Sequence, residues 1–217
     1  MNKVMIVSAV LALMAAPALA VAGPSVGIDY TDMGLSGHAG RPGVTIGAGN
    51  LYSNNAVVTG SATFARGFYG FHADLGKLIP AGGVSFEPYV SLGFLNLNYN
   101  QQEMGGLTST TTTSPGGFQF TQFTQQYYQQ QQSISDFYGL AGVNLNVPIG
   151  RRVAIEIGGG YGHTITTYGG NGGAVYRGKA EIGMQIAHNV TANLDVAYLH
   201  VPGASLTNYG AGIAYRF

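Results

Sequence analysis

His72 and Asp74 stand two residues apart, the spacing that puts two side chains on one face of an extended strand. An imidazole beside a carboxylate can exchange protons, yet such a pair arises easily by chance. The same period-two reading gathers Asp74, Glu87, Asp136, Glu156, Arg177, Lys179, Glu181, Asp195 and Arg216 on inward strand faces. Charges of both signs in a narrow low-dielectric interior are expected to pair, because an unpaired ion there is very costly. The set therefore predicts a salt-bridged plug, with a polar conduit for a small solute as the alternative. Catalysis finds no support. No nucleophile elbow, HExxH or phosphate loop occurs, and Gly158-Gly159-Gly160 and Gly169-Gly170 read as close-packing and turn glycines. Of the other histidines, His38 and His188 are isolated, and His163 and His200 fall on the opposite, apolar face set. No cofactor is implied, and the absence of cysteine excludes disulfides and thiolate metal sites.

Strands must position these residues. Tyr209, Ala211, Ile213, Tyr215 and Phe217 occupy every second position, with Asn208, Gly210, Gly212, Ala214 and Arg216 between them. Working backwards, Leu194 and Val196 alternate with Asn193 and Asp195, and Ile182 and Met184 with Lys179 and Glu181. Ten strands are expected near 25–39, 43–52, 56–64, 68–79, 84–99, 134–147, 153–166, 174–186, 190–199 and 208–217, or eight if two short N-terminal segments merge or lie apart. Three turn constructions fix register. Arg66-Gly67 pairs Phe64 with Tyr69, a three-residue loop at 187–189 pairs Ile186 with Val190, and a five-residue turn at 148–152 pairs Val147 with Val153. Near residue 95 the apolar parity moves to Leu95, Leu97 and Tyr99, which predicts a bulge or bend.

Alternation alone fits a water-soluble sandwich as well as a membrane barrel. The export signal, the terminal Phe217 and the scarcity of charge decide. Only 8% of the 217 residues are charged, against about 25% in an ordinary soluble domain. There are 35 glycines and 24 Tyr and Phe, yet no internal run approaches the roughly 20 apolar residues a membrane helix needs. Lipid admits only helices and closed barrels, so the barrel remains. A net charge of zero argues against nucleic acid as a partner. Residues 1–20 read as an export signal, with Lys3 in the basic region, an apolar stretch over 4–16, Pro17 as a break and cleavage after Ala20, or alternatively after Ala22. Residues 21–217 are then the mature domain.

A final strand ending in Phe217, with Tyr215 two residues before it, resembles the C-terminal signature of Gram-negative outer-membrane barrels. The chain as a whole resembles the small barrels of the OmpA and OmpX type, and residues 34–52 are similar to the YfaZ family. That resemblance implies an all-β, antiparallel up-and-down transmembrane barrel in the outer membrane. It implies contact with lipid and lipopolysaccharide, and recognition by the barrel-assembly machinery through Tyr209, Ile213, Tyr215 and Phe217. Members of this class include structural anchors, adhesins, narrow channels and lipid-modifying enzymes. No peptidoglycan-binding domain is expected after Phe217.

Residues 101–133 break the pattern. The stretch 101–132 holds ten glutamines and seven threonines, with Glu103 as its only charge. Such composition cannot bury a core and predicts a flexible or irregular extracellular loop. Phe118, Phe120, Phe123, Tyr127 and Tyr128 could anchor an extracellular surface partner or extend the flanking strands. The expected function is a non-enzymatic structural or surface-contact role. The alternatives are a narrow channel, or a secreted Gln- and Gly-rich fibre former, against which the lack of a fixed repeat counts.

Overall fold

The computed structural model describes residues 23–35, 40–113 and 119–217. The export signal at 1–20, His38 and Phe118 lie outside the described residues. The elements are β1 (Gly23–Leu35), β2 (Arg41–Leu51), β3 (Ala56–Ala65), β4 (Phe68–Lys77), β5 (Ile79–Ala81), β6 (Val84–Thr113), β7 (Gln119–Ile149), β8 (Val153–Tyr168), β9 (Ala174–Ala187), β10 (Val190–Val201) and β11 (Ala204–Arg216). Among the described residues no helix is long and apolar enough to cross a membrane. The chain forms two compact units. One takes the chain up to Leu97 and from Ile134 onward, and the other is Asn98–Ser133.

In the first unit each long strand lies beside its sequence neighbour, β1 pairs with β11, and β4 pairs with β6. That last pairing closes a ten-stranded barrel, as the alternation predicts, and rules out eight strands. The three-residue β5 is only an arm folded back on β6. Closure leaves no row of unpaired backbone groups, the condition a sheet must meet in lipid. Pro202-Gly203 shows how a short connection reverses the chain: proline takes the first central position and Gly203 the second, at φ 89°.

Register follows the hydrophobic pattern with local departures. Phe64 faces Tyr69 across the Arg66-Gly67 turn as expected. The β9–β10 turn is tighter than its composition suggests: Ala187 faces Val190, and a register shift between Val190 and Thr191 leaves Ile186 without the partner assigned to it. The β7–β8 turn is also shorter, with Ile149 facing Val153 and Val147 facing Ile155. Two more residues join the ladder without changing face, so the parity survives.

The outward row is apolar on every side of the barrel. Val26 and Ile28 on β1, Leu75 on β4, Leu92 on β6, Ile157 on β8, Ile182 on β9 and Leu194 on β10 are all exposed large hydrophobic residues. In water this surface would be a severe liability, and in acyl chains it is the required coat. Aromatic rings pack within it: Phe71 stacks on Phe94 at 5.2 Å, and Tyr161 lies 5.3 Å from Tyr176.

The expected bulge near residue 95 is absent from the β4–β6 ladder, which runs without a shift from Phe68 opposite Leu97 to Gly76 opposite Tyr89. The strand keeps its parity. Leu95 and Leu97 point inward, on the same row as Tyr89 and Ser91, and are fully buried. The apolar parity changes because the interior changes from polar to apolar at that level.

The second unit also departs from expectation. The Gln/Thr-rich stretch is strand as far as Thr113 and again from Gln119. Cross-strand side chains hold it: Tyr99 donates to Gln132 at 2.9 Å, the Thr111 and Thr121 hydroxyls meet at 3.1 Å, and the Gln125 amide donates to the Gly105 carbonyl. Threonine and aromatic residues suit a pleated ribbon, and paired polar side chains stabilise it without a core. Leu107, Phe123, Tyr127 and Tyr128 are exposed on it.

The lipid-facing row makes a direct prediction. Leu194 is 62% exposed at the middle of β10. Leu194→Arg should destabilise the barrel by about 2–4 kcal/mol in urea-unfolding measurements in lipid vesicles. An unchanged midpoint would show that this row does not face acyl chains.

Candidate functional site

The interior of the barrel is organised around Arg177. This residue sits on the inward row of β9, and its side chain crosses the lumen to β4, from which β6, β7 and β8 separate it. Nη1 donates to Asp74 Oδ1 at 3.0 Å and Nη2 to Oδ2 at 2.9 Å, a bidentate pair with both partners largely buried. Nη1 also reaches Ser91 Oγ at 3.4 Å, and the guanidinium stands 5.6 Å from the Tyr89 ring centroid. A planar fork matched to a carboxylate and laid against an aromatic face fixes orientation as well as charge.

Tyr89 can occupy that place because its neighbours are glycines. A Cβ at Gly142 would stand 2.6 Å from the Tyr89 hydroxyl, and one at Gly160 would stand 2.9 Å from it. The glycine run of β8 therefore does packing work, as its composition suggests. Beside Arg177 on the same row, Lys179 forms an ion pair with Glu156 of β8.

Ser61, His72 and Asp74 have the residue types of a hydrolytic triad, but their geometry is that of a structural network. Ser61 Oγ lies 3.2 Å from His72 Nδ1, and Arg177 Nη2 lies 3.2 Å from His72 Nε2. Arginine can only donate, so Nε2 accepts and the imidazole proton sits on Nδ1, directed at Ser61. Ser61 Oγ also lies 3.4 Å from Nε2, but with Nε2 accepting from Arg177 and Nδ1 carrying the proton neither nitrogen is free to take the serine proton. Asp74 is committed to Arg177 and stays 3.9 Å from the imidazole.

Of the nine inward charges read from the sequence, seven line one cavity of about 500 Å³: Asp74, Glu87, Glu156, Arg177, Lys179, Glu181 and Asp195. Asp136 is fully buried away from that cavity, beside Ile134 and Tyr138. Arg216 lines a separate small recess with Gln185, His188 and Asn189. Sequence reading missed Asp29, which lines the main cavity and accepts from Asn193 Nδ2 at 2.6 Å. The signal was present, since Asp29 lies between the outward residues Ile28 and Tyr30. Tyr138 and Asn144 lie on the inward row of Asp136, as the alternation places them, whereas Tyr89 was missed, an inward residue whose neighbours depend on how the strands stagger around the barrel.

The two ends of the lumen differ. Near the chain termini the cavity lining includes the exposed residues Pro80 and Gly83. At the opposite end Leu35 faces Leu206 and Phe68 faces Leu97 across neighbouring strands, and Val175 and Val201 complete an apolar layer. Leu97, Val175 and Val201 have 0% exposure, and the Asp136 carboxylate, two residues from Ile134 on the inward row, is buried at this end with them. The Pro202-Gly203 turn lies over it, near enough that a Cβ at Gly203 would be 3.4 Å from Ile134 Cδ1.

Tyr209, Ile213, Tyr215 and Phe217 form an exposed outward row along β11 and beyond its end. Tyr215 and Phe217 meet edge to face at 5.2 Å, and the Phe217 amide donates to the Pro24 carbonyl at 3.1 Å, tying the two termini of the sheet together.

No protein-family model matches the chain and no curated protein matches it in sequence, so the likeness of residues 34–52 to the YfaZ family is not borne out. Solved structures similar to it include the KdgM porin at 15% identity and TM-score 0.41, covering 88% of this chain and 99% of that one. The translocator domain of the autotransporter NalP from Neisseria meningitidis is similar at 12% and 0.43 over 98% and 95%. The outer membrane protease OmpT from Escherichia coli is similar at 10% and 0.49 over 90% and 94%. The strand closure and the apolar coat decide the class. The chain is an outer-membrane β-barrel protein. Its outward rows contact membrane lipid, the surroundings that a closed sheet with an apolar coat requires.

The central ion pair gives a testable energy. Arg177→Met leaves Asp74 buried without its partner and should cost about 3–5 kcal/mol of barrel stability. Combining it with Asp74→Leu should cost much less than the sum of the single substitutions in urea unfolding. Strict additivity would show that the two residues are not coupled.

A separate substitution tests the tyrosine platform. Gly142→Val should press on both the Gly159 carbonyl of the β7–β8 ladder and the Tyr89 ring and destabilise the barrel by about 1–3 kcal/mol, more than Gly142→Val adds once Tyr89→Ala has removed the ring. Unchanged stability would show that the ring has room to move.

Proposed function

We propose that this barrel is a non-conducting, non-enzymatic outer-membrane protein that acts in surface contact through its Gln/Thr-rich ribbon. The observation that supports this reading is the apolar layer across one end of the lumen, where Leu97, Val175 and Val201 are wholly buried. A conduit needs a continuous polar path, and a packed hydrocarbon layer offers an ion no substitute for its hydration shell. The chain leaves the barrel at Leu97 and returns at Ile134, both residues of the sealed end.

In this reading the sealed end faces the outside and the open end the periplasm, in keeping with short periplasmic turns and longer outer segments in barrels of this kind. Residues 98–133 then meet the environment. Exposed Phe123, Tyr127 and Tyr128 supply flat rings for contact with an extracellular partner, and one formal charge over the whole segment leaves little repulsion. The aromatic row of Tyr209, Ile213, Tyr215 and Phe217 supplies the surface read by the barrel-assembly machinery, and lipopolysaccharide covers the outer part of the apolar coat. The polar cavity is the feature that favours the second reading, a narrow channel.

Planar-bilayer recording separates the two. The native protein should give a silent membrane, and the triple variant Leu97→Ser, Val175→Ser, Val201→Ser should give reproducible single-channel steps. Steps from the native protein would establish the channel. Deleting residues 104–131 should leave a barrel that still shows heat-modifiable gel mobility while cells lose adherence to glass. Full adherence of the deletion strain would remove the surface-contact role.

A further inference from the structure

The cavity holds more carboxyl groups than cations. Its lining has six carboxylates, Asp29, Asp74, Glu87, Glu156, Glu181 and Asp195, against Arg177 and Lys179. Asp74 and Glu156 take those two cations in ion pairs. Asp29, Glu87, Glu181 and Asp195 remain.

Three of the acids stand directly opposite one another on consecutive strands. Glu156 of β8 faces Glu181 of β9, and Glu181 faces Asp195 of β10. Like charges in facing positions destabilise a sheet, so a row of this kind calls for a counter-charge. The next strand, β11, presents Gly210 opposite Asp195 and Gly212 opposite Asp29, and so interposes no side chain between those two carboxylates. The result is an acidic arc over β8, β9, β10 and β1 with a bare strand within it.

A second observation points to a missing occupant. Asn193 lines this arc and is only 6% exposed, and its Oδ1 has no hydrogen-bond partner while its Nδ2 is spent on Asp29. Glu181, 8% exposed, likewise has an unpartnered Oε1 in the cavity wall. Buried acceptors without donors are costly, and a rotamer change that turns these oxygens to the cavity would let a donor-rich ligand remove that cost.

We propose that the cavity binds a linear organic polycation, a flexible amine with ammonium groups separated by short methylene runs. A bare metal ion fits less well. Among the described residues no three acidic or imidazole side chains converge as an ion would require, and neighbouring strands spread the acids about 4.8 Å apart per step. A chain of spaced ammonium groups meets such a row one charge at a time. The methylenes find apolar wall at Val57, Val84 and Pro148, and the volume lies within the range of small-molecule sites. The sealed layer makes the cavity a dead end, a geometry suited to retention. The inference rests on the cavity alone and is independent of the ribbon's surface role.

The test is calorimetric titration of spermidine into the refolded full chain in detergent micelles at low ionic strength. Saturable binding is expected, weakened by at least about tenfold in Glu181→Gln/Asp195→Asn and unchanged in Glu103→Gln. Magnesium at the same concentration should bind at least about tenfold more weakly than spermidine. Heat-modifiable mobility confirms that each variant is folded. Absence of saturable binding to the folded native chain, equal binding by the double variant, or magnesium binding as tightly as spermidine would each overturn the proposal.

Discussion

A bilayer offers no water to an unpaired backbone amide, and the rest of this structure follows from that constraint. Each strand must be paired on both sides, so the sheet must close, here through β4 with β6 and β1 with β11. Closure divides every strand into a lipid-facing and an enclosed row. Ile28, Leu92, Ile182 and Leu194 can be exposed only because acyl chains replace water against them. Polar side chains that the strands carry have one place left, the lumen. Arg177, Asp74, Lys179 and Glu156 are buried inside for the same reason that leucines are bare outside.

Enclosure does not make the lumen uniform. Along β9 the inward row reads Val175, Arg177, Lys179, Glu181 in steps of two, passing from apolar through cationic to acidic along the barrel axis. On β6 the row runs oppositely in sequence, from Glu87 through Tyr89 and Ser91 to Leu95 and Leu97. On these two strands the antiparallel run superimposes like chemistry, an acidic mouth, a cross-braced middle and an apolar far end, while β7 departs from it by carrying the buried Asp136 beside Ile134. The brace at Arg177 is tolerable in so dry a place because both of its terminal nitrogens meet carboxylate oxygens and its face meets Tyr89. Gly142 and Gly160 are the space that this arrangement needs.

Period-two alternation made the strands and their faces legible, because one buried property and one exposed property repeat along every element. It was less informative where two readings share a parity. The shift to Leu95 and Leu97 suggested a bulge, whereas a change in what the lumen contains gives the same pattern without one. Turn register at Ile186 and Val147 depended on one or two residues of loop length, which side-chain type does not determine. The union of Asp74 with Arg177 was beyond reach, since partners 103 residues apart meet through the stagger of the whole barrel. Asp29 was within reach from its neighbours Ile28 and Tyr30. The Gln/Thr-rich ribbon misled because low complexity signals the lack of a core, and a two-stranded ribbon needs only cross-strand partners such as Tyr99 with Gln132.

The axial order of charge gives the lumen a direction. A cation entering at the end near Pro80 and Gly83 meets Glu181, Asp195 and Asp29 before it approaches Lys179 and Arg177. Beyond those two cations stands the layer of Leu97, Val175 and Val201, where an ion would lose its hydration without replacement. An anion is opposed at the mouth by the carboxylates that no cation pairs and a cation is attracted there, whereas further in Lys179 and Arg177 are already matched by Glu156 and Asp74. Low-dielectric walls sharpen both effects by confining the field to the lumen. A path opened by serine through the apolar residues at the far end would therefore still discriminate by sign at the mouth.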